Sequence, residues 1–152
     1  MTEYKREEGM QVEQISVFLE NKSGRLSEVT AILSEANVNI RALALADTSD
    51  FGVLRLIVDE TEKARQTLKN NGFTVGKTNV VAVEVPDRPG GLHDILMMLH
   101  EANLNVEYMY AFVRSSGNNA VMIFRIEKDQ DAISLLESKG VSVIDGEHLN
   151  AL

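Results

Sequence analysis

Two short segments carry the residue types that could hold a small charged metabolite. The first reads Glu20-Asn-Lys-Ser-Gly-Arg-Leu26 and the second Pro86-Asp-Arg-Pro-Gly-Gly-Leu92. Each joins an apolar, alternating run to a stretch of helical spacing, so Gly24 and Gly90 stand just ahead of a helix. Glycine has no Cβ and lets the backbone approach a ligand closely. The first N–H groups of a helix lack intrahelical partners and lie at the positive end of its dipole. That end favours an anion by roughly 0.3–1 kcal/mol before direct hydrogen bonds are counted. The carboxylate of an amino acid suits the position. Asn21 and Asp87 end the preceding runs, where a side chain could accept a hydrogen bond from an ammonium group. Asp87 would do so as a charged and therefore stronger acceptor. The spacing alone serves a second reading equally well. Asn21 and Asp87 can cap the helix or the turn, and glycine and proline can be there to make that turn.

Other chemistry finds little support. Of the 3 histidines, His93 and His100 are seven apart on one expected helix, whereas a helical metal pair would be three or four apart. The carboxylates are scattered along charged helices, and none flanks an obvious nucleophile. Ser23 precedes Gly24 but lacks a nucleophile-elbow pattern. With no P-loop, dinucleotide fingerprint or Ser–His–Asp signature, neither a cofactor, nor a metal, nor a catalytic residue is expected.

The elements that position the two segments are repeated. Leu26-Ser-Glu-Val-Thr-Ala-Ile-Leu-Ser-Glu-Ala-Asn-Val-Asn-Ile40 returns as Leu92-His-Asp-Ile-Leu-Met-Met-Leu-His-Glu-Ala-Asn-Leu-Asn-Val106. Gly24 falls on Gly90, and further on Gly72 falls on Gly140. In the first copy Ile15, Val17 and Leu19 alternate with polar residues as in a strand. Leu26, Val29, Ile32, Leu33 and Ala36 follow helical spacing, and Asn37 can stop that helix in the left-handed conformation. Strands are expected at Ile40–Ala46 and Phe51–Val58 around a turn at Asp47-Thr-Ser-Asp50. A charged helix from Glu60 to Asn71 ends at Gly72, and a fourth strand begins at Phe73–Val75. The second copy runs Val80–Val85, Leu92–Ala102, Leu104–Val113, a turn at Ser115–Asn119, Ala120–Ile126, a helix to Lys139, Gly140 and Val141–Ile144. The order βαββαβ, twice, predicts an α+β fold of two ferredoxin-like units, each an antiparallel sheet with its helices on one face. The expected boundaries are a flexible N-terminal extension over 1–12, one module over 13–78 and a second over 79–152, with no Pro/Gly/Ser-rich linker between the copies.

The pattern of a strand, Asn or Asp, two residues, Gly, one residue, Leu, a helix, and Asn-Ile or Asn-Val opening the next strand resembles the ACT domain. The resemblance covers both halves from about Gln14 onward, and is greatest to small tandem ACT proteins without an attached enzyme. The first copy, through Glu20-Asn-Lys-x-Gly-Arg-Leu26 and Asp47-Thr-Ser-Asp50, is also similar to the ACT half of the acetolactate synthase regulatory subunit. The resemblance implies that Gly24, Arg25, Leu26, Asn39 and Ile40 line one site, and Gly90, Gly91, Leu92, Asn105 and Val106 a second. It implies a regulatory protein that senses an amino acid and modulates an enzyme or its own assembly. The alternative is a ligand-free dimerisation module or the regulatory subunit of a biosynthetic enzyme. Ser23 stands where the pattern often has proline, as at Pro89, and Arg25 becomes Gly91, so the two sites need not be equivalent.

The polar starts of the second strands suggest how their faces divide. Asn39, Arg41, Leu43 and Leu45, and Asn105, Glu107, Met109, Ala111 and Val113, are expected to point away from the helices. Ile40, Ala42, Ala44 and Ala46, and Val106, Tyr108, Tyr110 and Phe112, would then face them. Val53, Arg55, Ile57, Val121, Ile123 and Arg125 join the outer face with Phe18, Val80 and Ala82. An outer face apolar in its middle points to an interface with the other copy or with a second subunit, hence a homo-oligomer such as a dimer.

Bulk composition narrows the partners. The apolar share is 44% and the charged share 25%, as in ordinary globular chains. A net charge of −8 without a basic stretch argues against nucleic acid. No apolar run approaches membrane-spanning length, and the start of the chain has no apolar leader core. Cysteine is absent, so disulfides are excluded. The expected setting is cytoplasmic and the expected partners are a small molecule, another copy of the chain and a metabolic enzyme.

Overall fold

The computed structural model describes residues 9–47 and 50–152. By its internal contacts the chain divides into Glu13–Thr78 and a second unit made of Asn79–Leu152 with the described N-terminal residues 9–12.

The first unit contains β1 (Val12–Glu20), α1 (Arg25–Glu35), β2 (Ile40–Asp47), β3 (Phe51–Val58), α2 (Thr61–Asn70) and the first residues of β4 (Thr74–Pro86). Its sheet order is β2-β3-β1-β4, with β1 and β2 both antiparallel to β3. Alternation along β1 sends Ile15, Val17 and Leu19 to one face. There they meet Leu54, Leu56 and Val58 of β3, Val29 and Leu33 of α1, and Ala64 and Leu68 of α2. Fully burying one such aliphatic side chain contributes roughly 1.5–3 kcal/mol. An exposed helix pair such as Arg65–Glu62 adds a fraction of 1 kcal/mol. The core, not surface charge, therefore holds the unit together.

The second unit repeats the plan with the later residues of β4, then α3 (Gly91–Glu101), β5 (Val106–Ala111), β6 (Asn119–Ile126), α4 (Asp129–Ser138), β7 (Val143–Ile144) and α5 (Gly146–Asn150). Strand β4 pairs with β6 and β7, and β6 with β5, all antiparallel. Val81, Val83, Val85, Phe124 and Ile126 form the sheet side of its core, Ile95, Leu99, Ile133 and Leu136 the helix side. Both units are thus ferredoxin-like βαββαβ folds with helices on one face.

All four long helices end in one way. After α1, Val38 N–H donates to Leu33 O at 2.9 Å and Asn37 N–H to Ser34 O at 3.0 Å. After α2 the donors are Phe73 and Gly72, after α3 Leu104 and Asn103, and after α4 Val141 and Gly140. This paired closure requires a left-handed residue. Asn37 (φ 58°) and Asn103 (φ 56°) fill that place after the first helix of each unit, and Gly72 and Gly140 after the second. The repeated Glu-Ala-Asn is therefore a helix stop.

Ile40 and Val106 pack against the helix-side cores as expected, but beyond them the faces of β2 and β5 are the reverse of those expected. Ile40 pairs with Val58 but Ala42 pairs with Ile57, so Arg41 is an extra residue. Val106 pairs with Ile126 but Tyr108 pairs with Arg125, so Glu107 is the extra residue there. A bulge of this kind inverts every later side chain of its strand. Leu43 and Leu45 consequently lie opposite Leu56 and Leu54 on the helix side, and Met109 lies opposite Phe124. Ala42, Ala44 and Ala46 take the outer face of the first unit beside Val53 and Arg55, and Tyr108 and Tyr110 take that of the second beside Ile123 and Arg125. Phe112, whose N–H donates to Val121 O, follows Tyr110. On the outer face of the first unit Ala42 and Ile57 are buried and Phe18 is exposed; on that of the second Tyr110, Phe112, Val121 and Ile123 are buried.

Three further differences concern boundaries. The two strands expected at Phe73–Val75 and Val80–Val85 are the single strand β4. Helix α5 was not anticipated. Of the expected N-terminal extension, 1–8 lie outside the described residues. From Gly9 the chain is described: Met10 packs against the core of the second unit, and Gln11 Nε2 donates to Asp129 Oδ2 at 2.8 Å. Thr48 and Ser49 of the expected Asp47–Asp50 turn also lie outside the described residues.

Candidate ligand-binding site

The loop between β1 and α1 opens onto a cavity of about 430 Å³. Asn21, Gly24, Arg25 and Leu26 all line it, with Leu19 and Leu45 as apolar walls. Gly24 occupies the N-cap position of α1 at φ 88°, and no side chain caps the helix. A residue with a Cβ would be strained there. The backbone holds the loop: Asn21 N–H donates to Asp50 O at 2.8 Å, and Lys22 N–H to Glu20 O at 2.9 Å. Charge surrounds it. Glu20 accepts from Lys22 at 2.9 Å and from Arg25 at 3.4 Å, while Arg25 also reaches Glu28 at 3.0 Å. The hydrogen bond and charge of Lys22, helped by Arg25, hold the Glu20 carboxyl below its ordinary value. The Arg25 guanidinium also lies 5.9 Å from the centre of the Phe73 ring.

The β4–α3 loop copies this backbone and not its surroundings. Arg88 N–H donates to Pro86 O at 2.9 Å, as Lys22 does to Glu20 O. Gly90 is left-handed at φ 83°, again without a side-chain cap. The difference is the next residue. Gly91 is buried against the strand end, and a Cβ on it would lie 2.1 Å from Pro86 O. Glycine at 91 is therefore demanded by close packing, whereas its counterpart Arg25 carries a full side chain. Asp87 is exposed, Leu92 half-buried, and Arg88 pairs with Asp94 at 3.3 Å.

Asn39 and Ile40 do not join Gly24. They follow the last turn of α1 while Gly24 precedes its first, and 11 residues of helix, about 16 Å at 1.5 Å per residue, lie between. Asn39 and Ile40 border a separate cavity with Asp59, whose Oδ1 accepts from Asn39 N–H at 2.9 Å. Asn105 and Val106 likewise border a cavity at the far end of α3 with His100 and Leu104. Each expected residue set thus divides between the two ends of a helix.

A third grouping escaped the sequence reading. Glu84, Ser116, Asp145 and His148 line a cavity of about 760 Å³ in the second unit. Ser116 Oγ and Asn119 Nδ2 both donate to the Glu84 carboxylate. His148 Nδ1 lies 2.6 Å from Asp145 Oδ1. Burial pushes the Asp145 carboxyl up, but the backbone and ring hydrogen bonds of His148 and its charge together bring it below its ordinary value. The hydrogen bond and charge of Asp145 raise the imidazole. Two signals were present: a carboxylate inside the apolar run Val80–Val85, and Asp145 three residues before His148. Among the described residues no group of three His, Asp or Glu is placed to hold a metal, and no helix is long and apolar enough to cross a membrane.

The chain is 40% identical to protein BT0572 from Bacteroides thetaiotaomicron, with a TM-score of 0.88 over 94% of this chain and 98% of that one. The regulatory subunit of aspartate kinase from Thermus thermophilus shares the fold at 15% identity and a TM-score of 0.61, over 83% of this chain and 91% of that one. The corresponding subunit from Thermus flavus does so at 12% and 0.58, over 83% and 90%. No curated protein matches. Residues 10–152 match the family described as an ACT domain pair, and the chain belongs to that family.

Proposed function

We propose that the protein is a regulatory sensor that binds an amino acid at the loop ahead of α1, and that binding modulates an enzyme or the protein's own assembly. The observation that carries this reading is the 430 Å³ cavity at the uncapped start of α1. The ligand's carboxylate meets the first-turn N–H groups of α1. Its ammonium group lies toward Asn21, and its side chain rests against Leu19, Leu26 and Leu45. In the wall of this cavity the charged groups Glu20, Lys22 and Arg25 are paired with one another, an arrangement that suits binding rather than proton transfer. We do not read the protein as an enzyme. A cytoplasmic setting fits a chain without cysteine.

A thermal-shift screen against the twenty amino acids at millimolar concentration tests the reading. Binding to the folded state stabilises it by mass action, by about 2.7 kcal/mol at a hundredfold excess over the dissociation constant. One amino acid, or a few related ones, should raise the melting temperature. A flat response to all twenty would favour a ligand-free scaffold instead.

That second reading has its own support. Phe18, Leu26, Leu43, Leu45 and Phe51, all within the first unit, are 43–65% exposed. Large exposed apolar side chains in this number suit an interface with a second copy or with an enzyme. A homodimer in light scattering is the expected state under either reading.

A further inference from the structure

The 760 Å³ cavity of the second unit contains none of the loop residues of the amino-acid site. Its size lies within the usual range of small-molecule sites, about 300–1,000 Å³. Met10, Val143 and Ile144 form apolar walls, and Glu84, Asp145 and His148 bring the ionisable groups.

Glu84 is the unusual member. Its neighbours Val81, Val83 and Val85 enter the core, so Glu84 projects from the opposite face of β4. The strand is paired on both sides there: Glu84 lies opposite Val121, and its N–H donates to Ser142 O at 2.9 Å. Ser116 and Asn119, both neutral, are the side chains that donate to its carboxylate. Among the described residues no Lys, Arg or His forms an ion pair with it. A carboxylate accepts about four hydrogen bonds, so Glu84 retains capacity after these two. Half-buried and, among the described residues, without a counter-ion, it is a charge that an incoming cation would neutralise. Asp145, on the same cavity, adds a second carboxylate against the one imidazole of His148. An anionic headgroup would meet repulsion here.

We propose that this cavity is a second small-molecule site, selective for an ammonium or guanidinium group carried on an apolar body. The cation pairs with Glu84, and the body lies against Met10 and Val143.

Titration of the ¹⁵N-labelled full chain with n-hexylammonium, followed by amide resonances, tests this, with hexanoate as the probe of opposite charge. Hexylammonium should move the resonances of 116–119 and 142–148 and leave those of 20–27 in place; hexanoate should move neither set. Glu84→Gln removes the charge and keeps an acceptor, and should weaken hexylammonium binding at least about tenfold. Ser142→Tyr, at an exposed position on the wall, narrows the cavity without touching the carboxylate and should weaken binding as well. Equal binding of hexanoate, or unchanged affinity in both folded variants, would overturn the proposal.

Discussion

A Cβ on Gly91 would lie 2.1 Å from the carbonyl oxygen of Pro86, although Arg25 fills the same place in the first copy of the repeat. Two loops with matching backbone hydrogen bonds and the same left-handed glycine therefore differ in how closely the helix approaches the strand. Gly91→Ala should destabilise the protein by about 1–3 kcal/mol, the usual cost of forcing atoms into a packed site. Arg25→Ala loses half-exposed ion pairs and the approach to the Phe73 ring, and should cost about 1 kcal/mol. Urea denaturation of the two variants checks the contrast.

Leu43 and Leu56 are direct cross-strand partners with very different surroundings. Leu56 is fully buried in the first core, whereas Leu43 is 50% exposed on the edge strand β2. Leu56→Ala should cost about 2–5 kcal/mol. Leu43→Ala should cost under about 1 kcal/mol in the isolated chain. If β2 lies in an interface, the Leu43 variant should instead lower the apparent mass in light scattering.

Asn37 and Asn103 end their helices with φ near 57°. Replacement by alanine puts a Cβ in the left-handed region and should destabilise by roughly 1–2 kcal/mol each. Replacement by glycine, which the same chain uses at Gly72 and Gly140, should leave stability within about 0.5 kcal/mol. Thermal unfolding of Asn37→Ala beside Asn37→Gly distinguishes a conformational role for the asparagine from a binding role.

The His148–Asp145 contact gives a pH signature. His148 titrates above the ordinary histidine value of 6.5. The contribution it makes to stability is fully present below that unfolded value and is lost as pH rises through the raised folded value. Asp145 titrates below 3.8, so its contribution is present above 3.8 and lost as pH falls through the lowered folded value. The contact is strongest between those two folded values. Following the His148 ring protons by NMR should give a midpoint above 6.5 that returns toward 6.5 in Asp145→Asn, which can still cap α5.

Much of this was legible in the residues because the repeat printed it twice. Two occurrences of Glu-Ala-Asn-x-Asn located both helix stops, and Gly24 and Gly90 located both loops. The strand faces were not legible. Alternation predicts side-chain direction only while the register is unbroken, and the extra residues Arg41 and Glu107 carry no sequence mark of a bulge. The site was half legible for a related reason. Gly24, Arg25 and Leu26 share a cavity, but Asn39 and Ile40 are separated from them by the length of α1. Glu84, Ser116 and Asn119 come together only through the β4–β6 pairing, a contact between distant positions that linear spacing does not reveal.

Calorimetric titration of the amino acid found by the thermal screen, on wild type, Asn21→Ala and Asp87→Ala, decides whether the ligand sits at the loop ahead of α1. Asn21→Ala should weaken binding about fivefold or more, equivalent to losing one hydrogen bond of roughly 1 kcal/mol, with its fold intact. Unchanged affinity in Asn21→Ala, with or without a loss in Asp87→Ala, would contradict the placement of the ligand at the loop ahead of α1.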